Sequence, residues 1–386
     1  MSTFYNSAQP INIKQTYNAY DLVEFLVKMP TGRQFRKGSF RVNGFLQVQK
    51  ILADGVPVHI DGTEGIFLNQ YVGAHAFFRN LNITVNGRTI ESLQNYPRYV
   101  GMMGQHDGTP ETMITSSAHA VELKGALNNR LLVGSDPSKG VAFSIKPLIC
   151  VNKSSEDLPQ SKYSEIKILF QLGSAIESLY ITGGQPSPTV IKALSFALTD
   201  LQLSWMEAPE MPGLASQPVV FNTVFNMVQT ITSLNSNIQI VSPTAYDSLS
   251  ISFLRQSGLN NLYYDTQLCE YIPDVNRVEF LIDGQDGPLT YAILPPCYQD
   301  IGLNYWKSLD NSGSVIWGTT AGGDKNSIMN RFLNENGCFG VGVGFKTSIN
   351  DKLQVALTIS DNTNYNPSST GEAIDAYIYV NGFLTL

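Results

Sequence analysis

The feature that most constrains the fold of this chain is a weak internal repeat of a strand, a turn and a helix-like segment. The first copy begins NLNITVNG (80–87), in which apolar and polar residues alternate up to an Asn-Gly turn. The second copy begins NRVEFLIDG (276–284), which ends in an Asp-Gly turn. The two turns, at Asn86 and Asp283, lie 197 positions apart. Self-similarity at this distance predicts two copies of one structural unit.

The ends of the two halves support the same repeat. Both SFALTDLQLSW (195–205) and AYIYVNGFLTL (376–386) read as alternating strands, and they are offset by 181 positions. The first of them changes phase at Thr199-Asp200, which predicts a β-bulge. Each unit is therefore expected to span about 190 residues and to close with a long strand.

Strands dominate the predicted units. DLVEFLVKM (21–29) alternates with period two, as a half-buried strand does, and the chain contains 37 Tyr and Phe residues but no long Ala-, Glu-, Lys- and Leu-rich stretch. Two segments are the predicted helical exceptions. RTIESLQNYPRYVGMM (88–103) follows the first turn, with Pro97 suited to start a second short helix, and YQDIGLNYWKSL (298–309) follows the second turn.

Length and composition suggest two globular domains. A chain of 386 residues is long enough for two domains of ordinary size, and its content of 15% charged residues is lower than the roughly 25% of typical soluble domains. Few solvated charges indicate that much of the surface is covered, for example by copies of the same chain. The segment 206–218 contains three prolines and is predicted to link a first domain (1–205, with an N-terminal arm) to a second (219–386).

Three parts of the sequence resemble a known family. They are FLVKMPTGRQFRKGSFRVNGFLQV (25–48), AFFRNLNITVNGRTIESLQNYPRYVGMM (76–103) and the paired closing strands. In residue type and layout these parts resemble the double jelly-roll major capsid proteins of tailless icosahedral viruses, a family that includes proteins of membrane-containing bacteriophages, virophages and polinton-like viruses. The resemblance implies an all-β fold of two tandem eight-stranded jelly rolls, with short helices in the loops between strands.

The same resemblance implies a structural protein and not an enzyme. Such a protein assembles as homotrimers of pseudo-hexagonal outline into an icosahedral capsid, and it is located in the virion after synthesis in the host cytoplasm. The implied partners are copies of the chain itself and other capsid proteins, such as penton or minor proteins. No cofactor, metal ion or small-molecule substrate is expected.

Charge is distributed unevenly along the chain. Residues 1–50 carry seven basic and two acidic side chains, which leaves 18 basic and 30 acidic side chains for the remainder, so the net charges are +5 and −12. The basic residues Arg33, Arg36 and Lys37 lie together in one predicted turn. A solvated turn is one interpretation of this cluster. The alternative is contact with an anionic interior, either the genome or the lipid head groups of an internal membrane.

Sequence signatures of catalysis and of metal binding are missing. The chain has no GxxxxGK[ST], HExxH or GxSxG motif, and the glycine run 337–345 has the wrong spacing for a dinucleotide site and is predicted to be a closely packed strand. The four histidines and four cysteines show no metal-ligand spacing, so structural roles are favoured for all eight. Those residues are His59, His75, His106, His119, Cys150, Cys269, Cys297 and Cys338.

Acidic residues near the turns of the second half leave two further hypotheses. A glycosidase needs two carboxyl groups at a defined separation, and Glu270, Asp274 and Glu279 lie close together in sequence, followed by Asp283 and Asp286. Calcium could bind at DGTEG (61–65) or DGQDG (283–287). Turn formation is the favoured role for these residues, since Asp suits turn backbones.

The N-terminus has no apolar segment after a basic start, and no stretch approaches 18 apolar residues. We therefore expect a protein made in the cytoplasm that is neither secreted through a cleavable signal nor membrane-spanning.

The rival functions are a carbohydrate-binding or adhesive β-sandwich, such as a phage spike or lectin-like module, and a β-rich glycoside hydrolase. An exposed aromatic platform on a monomer would favour the first, and two convergent carboxylates in a cleft would favour the second.

Overall fold

Alternating segments of the sequence form strands throughout the computed structural model of this protein. The residues that the structure describes are 3–61, 65–69, 71–107, 122–123, 132, 139–182, 191–242, 245–267, 275–282, 285–292, 341–349, 353–359 and 373–386.

The first half contains fourteen of the described strands. They are β1 (Phe4–Ala8), β2 (Thr16–Tyr17), β3 (Leu22–Lys28), β4 (Arg33–Phe35), β5 (Arg41–Leu52), β6 (Pro57–His59), β7 (Ile66–Phe67), β8 (Phe78–Val85), β9 (Arg88–Leu93), β10 (Val141–Ile145), β11 (Leu158–Pro159), β12 (Glu165–Leu172), β13 (Tyr180–Ile181) and β14 (Ile191–Pro209). The α-helices among the described residues of this half are α1 (Tyr96–Asp107) and α2 (Ala175–Ser178), and a 3-10 helix spans Gly73–Phe77.

The second half contains eight described strands. They are β15 (Val220–Ile231), β16 (Asn235–Ile240), β17 (Tyr246–Arg255), β18 (Val275–Ile282), β19 (Gln285–Ala292), β20 (Val341–Ile349), β21 (Leu353–Ile359) and β22 (Ile374–Thr385). Two further 3-10 helices span Leu214–Ser216 and Gln256–Gly258.

Strand order identifies the second half as a jelly roll. Its strands form two antiparallel groups of four, ordered β20-β17-β22-β15 and β16-β21-β18-β19. The first and last strands, β15 and β22, pair over their whole length, and successive strands alternate between the two groups except at the β18–β19 hairpin. This is the eight-stranded, double-sheet pattern of a jelly roll.

The first half repeats that order. One group runs β10-β5-β14, with β1 and β2 on the far edge of β14, and the other runs β9-β8-β12-β3. Taken in chain order, the strands of these two groups occupy the same places as the strands of the two groups in the second half. The short strands β4, β6 and β11 extend the first group, and β7 pairs with β13 in a separate ribbon. The predicted all-β fold of two tandem jelly rolls is therefore confirmed.

Alternation places one face of each half-buried strand in the core. In β12 the residues Ile166, Ile168 and Phe170 are fully buried, while their neighbours are partly exposed. Phe170 packs edge-to-face against Phe25 of β3 and Phe78 of β8, with ring centroids 6.5 and 5.0 Å apart. Aromatic pairs of this geometry add about 0.5–1.5 kcal/mol to the burial of their area.

Two details of the first half bear on the sequence predictions. The phase change in β14 is a bulge, because its pairing with β5 shifts register between Thr199 and Gln202, and Asp200 has a φ of 50°. The strand continues to Pro209, so residues 206–209 of the predicted linker are part of it.

The helix prediction for 88–103 is wrong in its first part. Residues 88–93 form β9, which pairs with β8 across the Asn86-Gly87 turn, and α1 begins only at Tyr96. Cross-strand pairing and burial of Ile90 and Leu93 in the sheet override their helical spacing. In the second half the repeated turn is likewise followed by a strand, β19. Residues 298–309, the other predicted helix, lie outside the described residues.

Candidate assembly surface

The two jelly rolls meet edge to edge. Strand β9, at the end of its sheet in the first roll, runs parallel to β15 of the second roll with Ser92 opposite Phe225, so four strands from each half form one eight-stranded sheet. The side chain of Asn226 completes this junction. Its amide accepts a hydrogen bond from the backbone N–H of Gln94 and donates one to the Gln94 carbonyl oxygen, both at 2.8 Å.

A buried carboxylate lies beside the same junction. Both oxygens of Glu91 accept backbone N–H groups, one from Cys150 at 2.7 Å and one from Val224 of β15 at 3.0 Å. Burial raises the pKa of Glu91, although the nearby Lys153 and the two N–H donors oppose this shift. Glu91 therefore connects β9, the segment around Cys150 and the second roll through one side chain.

Helix α1 adds aromatic contacts across the same boundary. The rings of Tyr99 and Tyr379 lie 5.5 Å apart, and the Tyr379 hydroxyl donates to the Asn95 carbonyl oxygen at 3.1 Å. The guanidinium of the buried Arg98 lies 4.3 Å from the centre of the Tyr377 ring. These contacts hold the two rolls in a defined relative position.

A cleft of about 480 Å³ opens between the rolls near this boundary. Charged side chains in its wall contact neighbouring groups: Arg79 lies 3.3 Å from Glu177, and Asp375 accepts hydrogen bonds from Thr230 at 2.7 Å and Gln256 at 2.9 Å. The first contact lies within the first roll and the other two lie within the second, so these charged groups are partnered inside their own rolls.

The predicted basic turn is partly occupied by contacts within the chain. Arg36 forms a salt bridge with Asp157 at 2.8 Å, and the backbone N–H of Lys37 donates to the same carboxylate at 2.9 Å. The ammonium of Lys37, an exposed residue, donates to the Ser155 carbonyl oxygen at 2.7 Å. The Arg33 guanidinium stacks on the ring of Phe4 at 3.9 Å. Asp157, which sequence reasoning missed, therefore neutralises one of the three cations.

The N-terminal arm presents an apolar surface to solvent. Tyr5 is 80% exposed, Ile11 55% and Ile13 71%, and Phe4 and Tyr20 are also exposed. The segment between β1 and β2 is nevertheless attached to the body. The N–H of Ile11 donates to the Glu24 carbonyl oxygen at 2.7 Å, and the Asn12 side chain bonds to the backbone of Leu22 and Glu24 in β3. Several exposed apolar residues on one attached segment make it a candidate interaction surface.

His75 and Cys150 have structural surroundings. His75 is buried with its Nδ1 2.8 Å from the Tyr96 hydroxyl, which also accepts the Leu148 N–H at 3.0 Å. Burial raises the pKa of the Cys150 thiol well above its usual range. Within the described ranges, no three His, Cys, Asp or Glu side chains gather as ligands for a metal ion. Nor is any described helix both long and apolar enough to cross a membrane.

Several predicted residues cannot be placed. His106 lies in α1. Outside the described residues are His119, Cys269, Cys297 and Cys338, and also Glu270, Asp274, Asp283 and most of the 61–65 loop. Of the glycine run, residues 341–345 lie in β20, as the strand interpretation predicts.

Comparisons with known proteins found similarity at the level of structure. No protein-family model matches the sequence, and no curated protein matches it. Over the whole chain, the structure resembles the Faustovirus major capsid protein, with a TM-score of 0.63, 8% identity and 90% of that protein covered. It also resembles the PBCV-1 virus capsid, at a TM-score of 0.54 and 11% identity, covering 100% of this chain and 94% of that one. For the mavirus major capsid protein the TM-score is 0.52 at 11% identity, covering 99% and 90%.

Proposed function

We propose that this chain, whose double jelly-roll fold is that of viral major capsid proteins, is the structural subunit of an icosahedral virus shell and acts by self-association as a homotrimer. The observation that carries the proposal is the match of the whole chain, in both rolls and in their order, to capsid subunits of this architecture. Closed shells use repeated identical interfaces, so many modest contacts per subunit produce a stable particle.

The molecule has features that suit this role. The two rolls are held together by the β9–β15 junction and by buried polar contacts, so each chain supplies two similar units with a defined separation. Exposed apolar residues are concentrated in the N-terminal arm, where a subunit contact can cover them. Copies of the chain and further capsid proteins are the proposed partners. The virion is the proposed location, with synthesis in the host cytoplasm, and we propose no catalytic activity.

Negative-stain microscopy and native mass spectrometry of the purified chain test the proposal. We expect particles with threefold symmetry and a hexagon-like outline, and a mass of three chains. An adhesive or carbohydrate-binding β-sandwich would instead give monomers that bind glycans. Monomers over the whole accessible concentration range would contradict the capsid proposal.

We also propose that the basic turn of Arg33, Arg36 and Lys37 faces the particle interior and contacts phosphates of the genome or of lipid head groups. Support comes from the net charge of +5 on residues 1–50 and from the clustering of the three cations. Each basic side chain near an anionic membrane contributes about 1 kcal/mol, so the effect is small per subunit and large per shell.

Binding of trimers to anionic vesicles and to DNA at increasing salt tests this orientation. Lys37→Gln and Arg33→Gln are the informative changes, because Arg36 is paired with Asp157 and its replacement would also disturb folding. We expect weaker, less salt-sensitive binding with trimers intact. Lys50→Gln, a change of the same charge elsewhere in the N-terminal segment, is the matched control. Unchanged binding, or cleavage of residues 1–37 by protease added outside intact particles, would rule out the orientation.

We further propose that the chain divides into an N-terminal domain, which extends from the predicted 1–205 to residue 209 because β14 continues to Pro209, and a C-terminal domain of residues 219–386, with the remainder of the predicted 206–218 linker between them. The strand order of each half supports this division, since β1 to β14 complete one roll and β15 to β22 complete the other.

A further inference from the structure

The cleft between the rolls lies at the end of the molecule opposite to the basic turn. Tyr20, which lines the cleft, precedes β3, whereas Arg33 follows that strand. Arg79 in β8 and Gly173 after β12 also line the cleft, and they lie at the same end as Tyr20 because β12 pairs antiparallel with both β3 and β8. The length of β3 separates the two ends by about 20 Å. A shell whose interior contacts the basic turn therefore has this cleft on its outer side.

The charged groups in the cleft wall balance each other and are held in place. Among the described residues that line the cleft, two are cationic, Arg79 and Arg98, and two are anionic, Glu177 and Asp375. Arg79 lies 3.3 Å from Glu177, and the buried Arg98 donates to the Thr266 carbonyl oxygen. A wall without net charge does not concentrate ions, so it suits a neutral polar ligand.

Hydrogen-bonding groups of the same wall remain available for a ligand. Both bonds that Asp375 accepts, from Thr230 and Gln256, go to Oδ1, so Oδ2 has no partner among the described residues. Arg79 uses Nη1 in its salt bridge, which leaves other guanidinium N–H groups unpaired within the described part of the chain, and Gln94 is exposed. A carboxylate accepts, a guanidinium donates and an amide does both, so these groups can bind adjacent hydroxyl groups, which also donate and accept.

An aromatic ring is exposed at the rim of the cleft. Tyr20 is 60% exposed and has a φ of 67°, in the left-handed region that bulky residues rarely adopt. The turn that contains it is fixed by Asp21, whose carboxylate accepts the Asn18 N–H at 2.8 Å and the Lys14 ammonium at 2.7 Å. An exposed ring in a fixed turn presents a flat surface on which the apolar face of a sugar ring can stack.

We propose that this cleft binds a neutral glycan of hexoses or N-acetylhexosamines, which stacks on Tyr20 and forms hydrogen bonds with Arg79 and Asp375. Its volume of about 480 Å³ is that of a small-molecule site. The outward direction of the cleft rests on the proposed shell function, and the inference adds the class of ligand that the outer surface binds. On a shell, many copies of a weak site bind a glycan-bearing surface through multivalency.

A glycan array tests the proposal with the purified full-length chain in its native oligomeric state. The immobilised probes are neutral hexose and N-acetylhexosamine oligosaccharides, with sialylated oligosaccharides as the anionic comparison. The Kd of the strongest ligand is then measured by titration calorimetry with the soluble oligosaccharide. We expect binding to neutral glycans. Binding to none of the neutral glycans, or to sialylated glycans alone, would overturn the inference.

Exposed residues provide variants that leave the core unchanged. Tyr20→Ala removes the stacking surface, and Gln94→Ala removes an exposed amide but keeps the backbone bonds between Gln94 and Asn226. Tyr263→Ala removes an exposed tyrosine that does not line the cleft, so it is the matched control. We expect Kd to rise about tenfold in Tyr20→Ala, a loss of about 1.4 kcal/mol, and to rise less in Gln94→Ala. Unchanged Kd in both cleft variants, or an equal rise in the control, would overturn the site.

Native mass spectrometry and intact particles separate this inference from the proposed function. If the unmodified chain forms trimers but binds no neutral glycan, the shell proposal stands and the cleft inference is overturned. If the unmodified chain is a monomer whose glycan binding depends on Tyr20, the shell proposal fails and the cleft site is supported. Binding to isolated trimers but not to intact particles would overturn the outward direction of the cleft.

Discussion

At the scale of single residues, the position of Glu91 requires both of its side-chain oxygens. It is buried and accepts two backbone N–H groups, from Cys150 and from Val224. In Glu91→Gln, one oxygen is replaced by an NH₂ group that cannot accept, so one buried N–H loses its partner. We expect the free energy of unfolding to fall by about 1–3 kcal/mol, measured by urea denaturation. Glu156→Gln, at an exposed carboxylate, is the control, and an equal effect of both changes would contradict this role.

Asp247 makes stability depend on pH. Burial raises its pKa to about 6, above the value of about 3.9 in an unfolded chain. The folded state therefore holds the proton more tightly, and this stabilisation is complete below about pH 4 and lost as the pH rises through about 6. Asp247→Asn is neutral throughout. We expect the free energy of unfolding of Asp247→Asn, relative to that of the wild type, to rise by about 1 kcal/mol between about pH 4 and 8. Partial exposure of the side chain to solvent keeps this difference small.

Urea denaturation at several pH values measures this difference. The exposed Asp54→Asn serves as the comparison, and its difference from the wild type should vary less across the same range. A constant difference between Asp247→Asn and the wild type would show that Asp247 does not titrate in this window.

At the level of strands, Gly140 determines how β10 joins β5. Its φ is 78°, and a Cβ atom there would lie 2.3 Å from the Leu46 carbonyl oxygen in the partner strand. Gly55 has a similar φ of 82° but open space around it. Gly55→Ala should therefore cost only the backbone strain, about 1–2 kcal/mol. Gly140→Ala should cost about 1–3 kcal/mol more, because the backbone must move. Similar losses in thermal unfolding would show that the close approach is unimportant.

In the whole molecule, the junction between the rolls couples their stability. Strands of both halves share one sheet, and Glu91, Asn226 and the Tyr99–Tyr379 pair bury contacts across the boundary. We expect calorimetry to show one cooperative transition for the wild type, and Asn226→Ala to separate it into two, because that change removes both amide bonds to Gln94. Asn237→Ala, in β16 away from the junction, should leave a single transition. Two transitions in the wild type would contradict the coupling.

The amino-acid sequence predicted the main strands of the fold and its duplication. Period-two alternation in 21–29, 80–87 and 195–205 marks β3, β8 and much of β14, because a strand with one buried face must alternate. The repeated turn predicted two copies of one fold, and the phase change at Thr199-Asp200 predicted the bulge. The strand β9 was missed, since Ile90 and Leu93 suit a helix by spacing alone.

The sequence does not predict which sheet edges of the two rolls meet, because that contact depends on residues far apart in the chain. Asn226 and Gln94 are 132 positions apart, and nothing in the residues around either distinguishes a junction from an ordinary strand. Asp157 neutralises Arg36 from a distance of 121 positions, so the sequence overstated the charge of the basic turn. Local pattern reflects which face of an element is buried, whereas contacts between elements and the exposed edge of β1 arise only when the sheets assemble.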